Sequence, residues 1–434
     1  PFLKTISATG IVPYSRCARP YTFASCTPGQ RLSTLSTSSG NIFIPLKLIT
    51  HFALPNIKRY PWASSRPISP VLNQPPFEMF LALFHGEKYA LKKILPNAAI
   101  SESEKILETN LRGRFTIESI IGKQLTDISV ENNMHYVVKT HGSWFEKKGG
   151  KDADRVILLE YLPNPDLRVL LNAINNAEGR YRPVKSSKLY FLSRVSASLE
   201  FTKKIAQFMF LAHESGIYHR DINTSNIKVR TEKTEEDLLM TSGKNVSSLV
   251  EVLHTSDPIL FDFGISKEEG LNFGYSTRQI SLGTVEYMHP LGTFNPRPWC
   301  DIYSIGTMLF EMIMGHLPFK YIDNYSLTQA KFGRKMDYGS SEEVLPTEVK
   351  FLIEKSLNPD PLMSFEDCGE FISILDKALV QTLDLEASFA VKDKTIFALL
   401  VVLSLLICWG FVKKMLGNSG KGVLIFSIFL FTFP

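Results

Sequence analysis

The sequence predicts an α+β chain of two lobes, a small β-rich one and then a large helical one, followed by a C-terminal membrane-spanning helix. Three observations predict it: strand-like segments between Phe77 and Tyr161, helical periodicity after residue 190, and an uncharged apolar run that ends at Val412. The chain has 434 residues, 44% of them hydrophobic and 21% charged, with 30 Phe. That is enough apolar material for a large core, and it excludes a disordered, collagen-like or disulfide-stapled protein. A net charge of +5 falls short of the basic bias of a nucleic-acid binder, so no nucleic-acid partner is expected. The five cysteines (Cys17, Cys26, Cys300, Cys368, Cys408) are scattered without CxxC or Cys/His spacing and read as reduced thiols, not zinc ligands.

The elements follow in chain order. Residues 1–76 form a basic, Ser-rich segment; eight Lys/Arg precede the first acid, Glu78, which leaves 40 basic against 43 acidic residues in the remainder. Such a start reads as an organelle-targeting segment or a disordered tail. A folded domain is expected over residues 77–385. It opens with two strands from Phe77 to Ile94 around the turn His85-Gly86-Glu87-Lys88, and Val156–Tyr161 is a further apolar strand. Ile205, Phe208, Met209 and Ala212 then repeat at i, i+3, i+4, i+7, and Ile302–Met314 is apolar on nearly all sides, as a helix inside a large lobe would be.

Thr395–Val412 contains no charge. Its eighteen residues span about 27 Å as a helix, close to the ~30 Å hydrocarbon core. Lys392, Lys394, Lys413 and Lys414 flank it, placed to reach the headgroups. With no secretory signal ahead of the central domain, that domain is expected in the cytosol, with 395–412 as the anchor of a single-pass membrane protein. The lysine content of the two flanks is too similar to fix orientation, and nothing identifies the membrane. Residues 413–434 form a short tail with a second apolar run, Val423–Phe433, too short to span.

Several side chains fit one chemistry. His219-Arg220-Asp221-Ile222-Asn223-Thr224-Ser225-Asn226 lies between a helix and the short strand Ile227–Val229, and Pro258–Phe261 is a strand ending in Asp262-Phe263-Gly264. Phosphoryl transfer needs metal ligands, a group that orients the attacking hydroxyl, and a cation for the phosphates. Asp262 and Asn226 offer hard oxygen donors suited to Mg²⁺, Asp221 a proton acceptor, and Lys92 the cation.

On these residues the chain resembles the eukaryotic-type protein kinase family, of the Ser/Thr-kinase-like kind. It matches HRDxxxxN at 219–226, DFG at 262–264 and a VAIK-like strand at 89–92. Gly283-Thr284-Val285-Glu286-Tyr287-Met288-His289-Pro290 resembles GTxxYxxP, Asp301–Gly306 the DxxSxG helix start, and Gly315–Phe319 the GxxPF turn. The resemblance covers residues 77–380. It implies a two-lobed fold that uses ATP and Mg²⁺ and phosphorylates Ser/Thr hydroxyls of protein substrates.

The resemblance also implies roles. Lys92 would hold the α/β-phosphates and pair with a helical glutamate, either Glu118, on the stripe Phe115, Glu118, Ile121, Leu125, or Glu108, nearer the usual spacing. Glu160, Tyr161 and Leu162 would form the hinge for adenine behind Leu159, and Asp166 would meet the ribose. Asp221, Asn223 and Thr284 would line the transfer site; Asn226 and Asp262 would hold the metal. His219 and Phe263 would join the internal apolar spine. Arg220 implies control by a phosphate placed by an activating kinase, with Tyr275, Ser276, Thr277 and Ser281 as acceptors.

Four departures stand against the pattern. Pro70–Pro76 occupies the place of the glycine-rich lid, where proline offers no amide donors. Asn223 replaces a lysine that would neutralise the migrating phosphoryl group. Leu291 and Ser364 replace a Glu–Arg pair, a joint loss that leaves no buried charge unpaired. Lys228 occupies a strand position that lies beneath adenine. The charged run 232–237 reads as a solvated insertion. A membrane-anchored Ser/Thr kinase, a pseudokinase or scaffold with little turnover, and a small-molecule kinase are the readings left open.

Overall fold

The computed structural model describes residues 32–37, 40–45, 77–84, 86–94, 102–148, 151–180, 188–241, 246–263, 267–268, 284–291 and 297–416. Strands β1 (Leu32–Thr37) and β2 (Gly40–Pro45) pair as an antiparallel hairpin. The first lobe is built on β3 (Phe77–Phe84), β4 (Glu87–Ile94), α1 (Glu102–Glu131), β5 (Thr140–Lys148) and β6 (Lys151–Glu160). Its four strands form one antiparallel sheet in the order β3-β4-β6-β5. The β3–β4 turn is tight because Gly86 takes φ 83°, a left-handed conformation that a Cβ would strain. The register sets Lys92 opposite Ile157, carrying its side chain to the face where α1 packs through Phe115.

The second lobe contains α2 (Leu167–Arg180), α3 (Lys188–Glu214), β7 (Ile217–Tyr218), β8 (Ile227–Arg230), α4 (Glu235–Thr241), α5 (Val246–Thr255), β9 (Asp257–Leu260), β10 (Lys267–Glu268), α6 (Pro298–Met314), α7 (Asn324–Phe332), α8 (Thr347–Ser356) and α9 (Cys368–Leu416). The predicted stripe Ile205, Phe208, Met209 and Ala212 is fully buried on α3, and α6 is buried on nearly every face. Pro298 opens α6 at a position where a missing N–H costs nothing, and Gly315 closes it at φ 81°. Helices α6 and α8 touch where Gly306 faces Ser356; a Cβ on Gly306 would lie 2.5 Å from the Ser356 Cβ. The predicted solvated insertion is a loop only in part. Its charges are mostly exposed, but Leu238, Leu249, Val250, Val252 and Leu253 bury α4 and α5 in the core.

The sequence prediction of a membrane span meets a different finding. Among the described residues, no helix is long and apolar enough to cross a membrane. The run 395–412 forms the end of α9, a single 49-residue helix whose first half packs in the second lobe through Phe371, Leu375, Ala378 and Thr382. Part of that run, including the side chains of Phe397, Phe411 and Val412, lies outside what the structure describes. Residues 70–76, 269–283 and 423–433 lie outside it as well, and with them the prolines in place of the lid, the four candidate phosphate acceptors and the second apolar run.

Candidate active site

Strand β4 delivers Lys92 from the first lobe. Its Nζ donates to Glu118 Oε1 on α1 at 2.6 Å and reaches Asp262 Oδ1, just after β9, at 3.2 Å. Of the two glutamates considered, Glu118 meets Lys92; the side chain of Glu108 lies outside the described residues. Burial pulls Lys92 down, but the carboxylates of Asp262 and Glu118 outweigh it and hold the ammonium above its ordinary value. Lys92 thus ties both lobes and α1 to one point.

The loop between β7 and β8 supplies the opposite wall. Asp221 Oδ1 accepts from the Thr284 amide at 3.0 Å and from Asn223 Nδ2 at 3.1 Å, while Asn226 Nδ2 donates to Oδ2 at 2.9 Å. Asn223 Nδ2 also lies 3.3 Å from Thr284 Oγ1, so Asp221, Asn223 and Thr284 form one cluster. Burial pushes the Asp221 carboxyl above its ordinary value, against the Thr284 amide, which pulls it down. Arg220 and Asp262 hold left-handed backbones at φ 70° and 64°. Such conformations cost ~1–3 kcal/mol each and persist only where the surroundings impose them. Asp301, buried at the start of α6, supplies that constraint at Arg220, accepting from the amides of His219 at 2.9 Å and Arg220 at 2.8 Å. Phe263 sits beside His219 with ring centroids 4.8 Å apart.

The donor set can be weighed against the expected ligands. Among the described residues, no group of three or more His, Cys, Asp or Glu could hold a metal ion. Asp262 and Asn226 offer oxygens beside Asp221, and Mg²⁺ typically takes one or two protein ligands with the rest from phosphate and water. The residues fit Mg²⁺ with a triphosphate and fit poorly with a protein-caged transition metal.

A family model, the protein kinase domain, matches residues 83–364. The chain belongs to the protein kinase family. A probable serine/threonine-protein kinase of Clostridium perfringens is 27% identical over 40% of this chain and 22% of its own length. CBL-interacting serine/threonine-protein kinase 24 of Arabidopsis thaliana is 28% identical over 48% of this chain and 40% of its own. Serine/threonine-protein kinase PknA of Mycobacterium tuberculosis is 26% identical over 40% and 35%. The chain spans well under half the length of each of these kinases.

Within this site, the residues expected to face a nucleotide are arranged less simply than the sequence implies. Glu160 ends β6, where Arg230 lies 3.6 Å from its carboxylate, and Leu162 is buried just beyond. Asp166 is engaged by Lys228, whose Nζ donates to Asp166 Oδ1 at 2.8 Å and to the Asn164 carbonyl at 2.9 Å. The ammonium also lies 5.5 Å from the Phe261 ring centroid. The proposed ribose acid is therefore half of an ion pair. Strand register carries this signal, because Lys228 faces Asp166 across an isolated bridge that local sequence does not encode.

The third departure has a simple outcome. Leu291 is exposed, and Ser364 is buried without a charge. Neither position leaves an ion stranded. Two functional features went unseen in the sequence. Asp301 holds the catalytic loop through main-chain amides, and Tyr287 binds Thr224, Arg168 and Glu311 through its hydroxyl. Asp301 was within reach as part of DxxSxG; the Tyr287 network joins four elements and has no local signature.

Proposed function

We propose that the chain is a membrane-anchored protein kinase that transfers the γ-phosphate of ATP to Ser/Thr hydroxyls of protein substrates. One observation carries the reading. Lys92, Glu118 and Asp262 meet at one point, and Asp221, Asn223, Asn226 and Thr284 form one hydrogen-bonded cluster beside it. Phosphoryl transfer requires this convergence of positioning and charge. Asp221 orients the substrate hydroxyl and takes its proton; its hydrogen bonds from Thr284, Asn223 and Asn226 fix the carboxylate for that task. Lys92 would hold the α/β-phosphates, and Asp262 with Asn226 would hold Mg²⁺, which when bound neutralises phosphate charge. The hinge from Glu160 to Leu162 would receive adenine, and Asp166 would meet the ribose from its pair with Lys228. Asn223 contributes a hydrogen bond without a charge, so transfer is slower than with a lysine there.

Serine and threonine specificity is supported by the segment at 283–290 and by the kinases that the chain resembles. Buried Arg220 beside Asp221 supports response to an activating kinase. Support for the anchor comes from α9, where Leu399, Leu400, Val402, Leu403, Leu406 and Ile407 all expose apolar side chains. A cytosolic domain is consistent with Cys300 and Cys368, both buried and neither in a disulfide.

The test is Mg²⁺-dependent transfer of labelled phosphate from ATP to a generic protein by the purified full chain. Transfer that Asp262→Asn abolishes supports the enzyme. A nucleotide-dependent rise in melting temperature without transfer would favour the pseudokinase reading. Resistance to alkaline carbonate extraction from membranes, lost when 395–412 is deleted, tests the anchor.

A further inference from the structure

Segment 284–291 is held to the second lobe in part through its own main-chain carbonyls. The Thr284 carbonyl closes a turn by accepting from the Tyr287 amide at 2.9 Å. The Tyr287 carbonyl accepts from Ser304 Oγ on α6, also at 2.9 Å. Two further carbonyls are held by a single side chain. Lys331 Nζ, near the end of α7, donates to the Val285 carbonyl at 2.7 Å and to the Met288 carbonyl at 2.6 Å. The ammonium sits 5.4 Å from the ring centroid of Tyr303, itself buried on α6.

The location is unusual for a lysine. Helix α7 has nine residues and is mostly exposed; Leu327 and Lys331 are its buried side chains. Lysine is among the residues least often buried unless paired, and Lys331 has only 3% of its surface exposed. Burial pushes its ammonium down to about 7, opposed by the nearby carboxylate of Glu286. A buried cation of this kind persists where its hydrogen bonds are needed. The two positions at which the resemblance implies a Glu–Arg pair hold an exposed Leu291 and an uncharged Ser364.

We propose that Lys331 is a positioning residue for the protein substrate: from α7 it clamps the Val285 and Met288 carbonyls against Tyr303, fixing the segment on which the substrate polypeptide docks and replacing the absent ion pair. The clamp acts on main-chain atoms. It therefore sets the shape of 284–288 without contacting the nucleotide, and through Thr284, whose amide reaches Asp221, it sets the register of the transfer cluster. The inference rests on the kinase reading for its consequence in catalysis, but the clamp itself is testable without activity.

The experiment compares the full chain with Lys331→Met, Lys331→Gln and Lys331→Arg by hydrogen exchange and by transfer kinetics. Lys331→Met is expected to speed exchange of the 284–291 amides about tenfold or more, the ratio given by one lost charge-assisted hydrogen bond. Exchange in α3 and α6 should not change. Lys331→Gln should fall between, and Lys331→Arg, which keeps a charged donor, should restore most of the protection. In kinetics, KM for the protein substrate should rise while KM for ATP stays constant. Wild-type protection of 284–291 in both Lys331→Met and Lys331→Gln would overturn the clamp. So would loss of protection spread evenly through the lobe in both variants, because Lys331 would then be a general packing residue. A wild-type chain with no phosphate transfer would remove the enzymatic reading, and the exchange data alone would still decide whether Lys331 holds the segment.

Discussion

Replacing Asn223 by lysine should make the protein a faster kinase. Asn223 Nδ2 donates to the Asp221 carboxylate and main-chain carbonyl, both at 3.1 Å, and lies 3.3 Å from Thr284 Oγ1. A lysine from the same Cα can keep donors in this cluster and add a positive charge where negative charge migrates. Two unit charges 4 Å apart at an effective dielectric of about 20 attract by roughly 4 kcal/mol, which sets a ceiling. Single charge-stabilising donors are worth about 10²–10³ in kcat, and Asn223 already supplies part of that, so a gain of about 10–100-fold is expected. The substitution also removes an acceptor, since Asn223 Oδ1 takes the Ser225 amide at 2.9 Å. That loss costs about 0.5–1.5 kcal/mol, or a melting temperature lower by a few degrees for a domain of this size. The assay is steady-state transfer to one protein substrate with ATP varied, alongside thermal melting. If Asn223→Lys melts within a few degrees of wild type and kcat does not rise, the charge deficit assigned to position 223 is wrong.

Three further outcomes are expected. Lys92→Met removes the cation shared by Glu118 and Asp262, so transfer should fall by about 10²–10³, and ATP-induced stabilisation in a melting assay should vanish; retained stabilisation would remove Lys92 from the phosphate site. Burial holds His289 down to about 4 against an ordinary 6.5, so its folded state resists protonation. Its share of stability, about 3 kcal/mol, is complete above pH 6.5 and disappears as pH falls toward 4; urea unfolding of His289→Phe at pH 7 and pH 4.5 should show a smaller acid loss than wild type. Arg194 is buried with Glu178 at 2.5 Å and donates to the Met312 carbonyl at 2.7 Å, so Arg194→Met should cost about 3–5 kcal/mol by stranding the carboxylate. Adding Glu178→Leu should recover much of that in denaturant unfolding, and a double variant as weak as the single would refute the ion-pair account.

How much was legible in the sequence depends on whether the signal was local. Strand alternation from Phe77 to Ile94 gave β3 and β4, and helical spacing gave α3 and α6, because burial of one face writes itself into residue order. The pairing of Lys92 with Glu118 was half-legible: the stripe of Phe115, Glu118, Ile121 and Leu125 marked the buried face of α1, but the distance to Lys92 required the fold. Helices α4 and α5 were missed because a run of charges at 232–237 hid the apolar residues that follow. The ion pair of Asp166 with Lys228 and the grip of Lys331 on Val285 and Met288 were invisible. The first depends on the crossing of a loop and a strand, and the second on carbonyls, which every residue possesses.

The departures from the family pattern fall into two kinds, and the structure separates them by what each group touches. Lys92, Asp221, Asn226 and Asp262 are the side chains whose own atoms would meet nucleotide, metal or hydroxyl, and all four are present and close together. The Glu–Arg pair that the resemblance implies would serve position alone, and a positioning task can be met from another place in the fold if the same backbone is restrained. Lys331 restrains it through two carbonyls, Ser304 through a third, and Tyr287 through a hydroxyl shared by Thr224, Arg168 and Glu311. Asp301 does the same for the strained Arg220 backbone. Asn223 belongs to neither kind, since it joins the transfer cluster through three hydrogen bonds but brings no charge. Both arrangements keep Thr284 ordered beside Asp221, which phosphate transfer requires and partner binding alone does not.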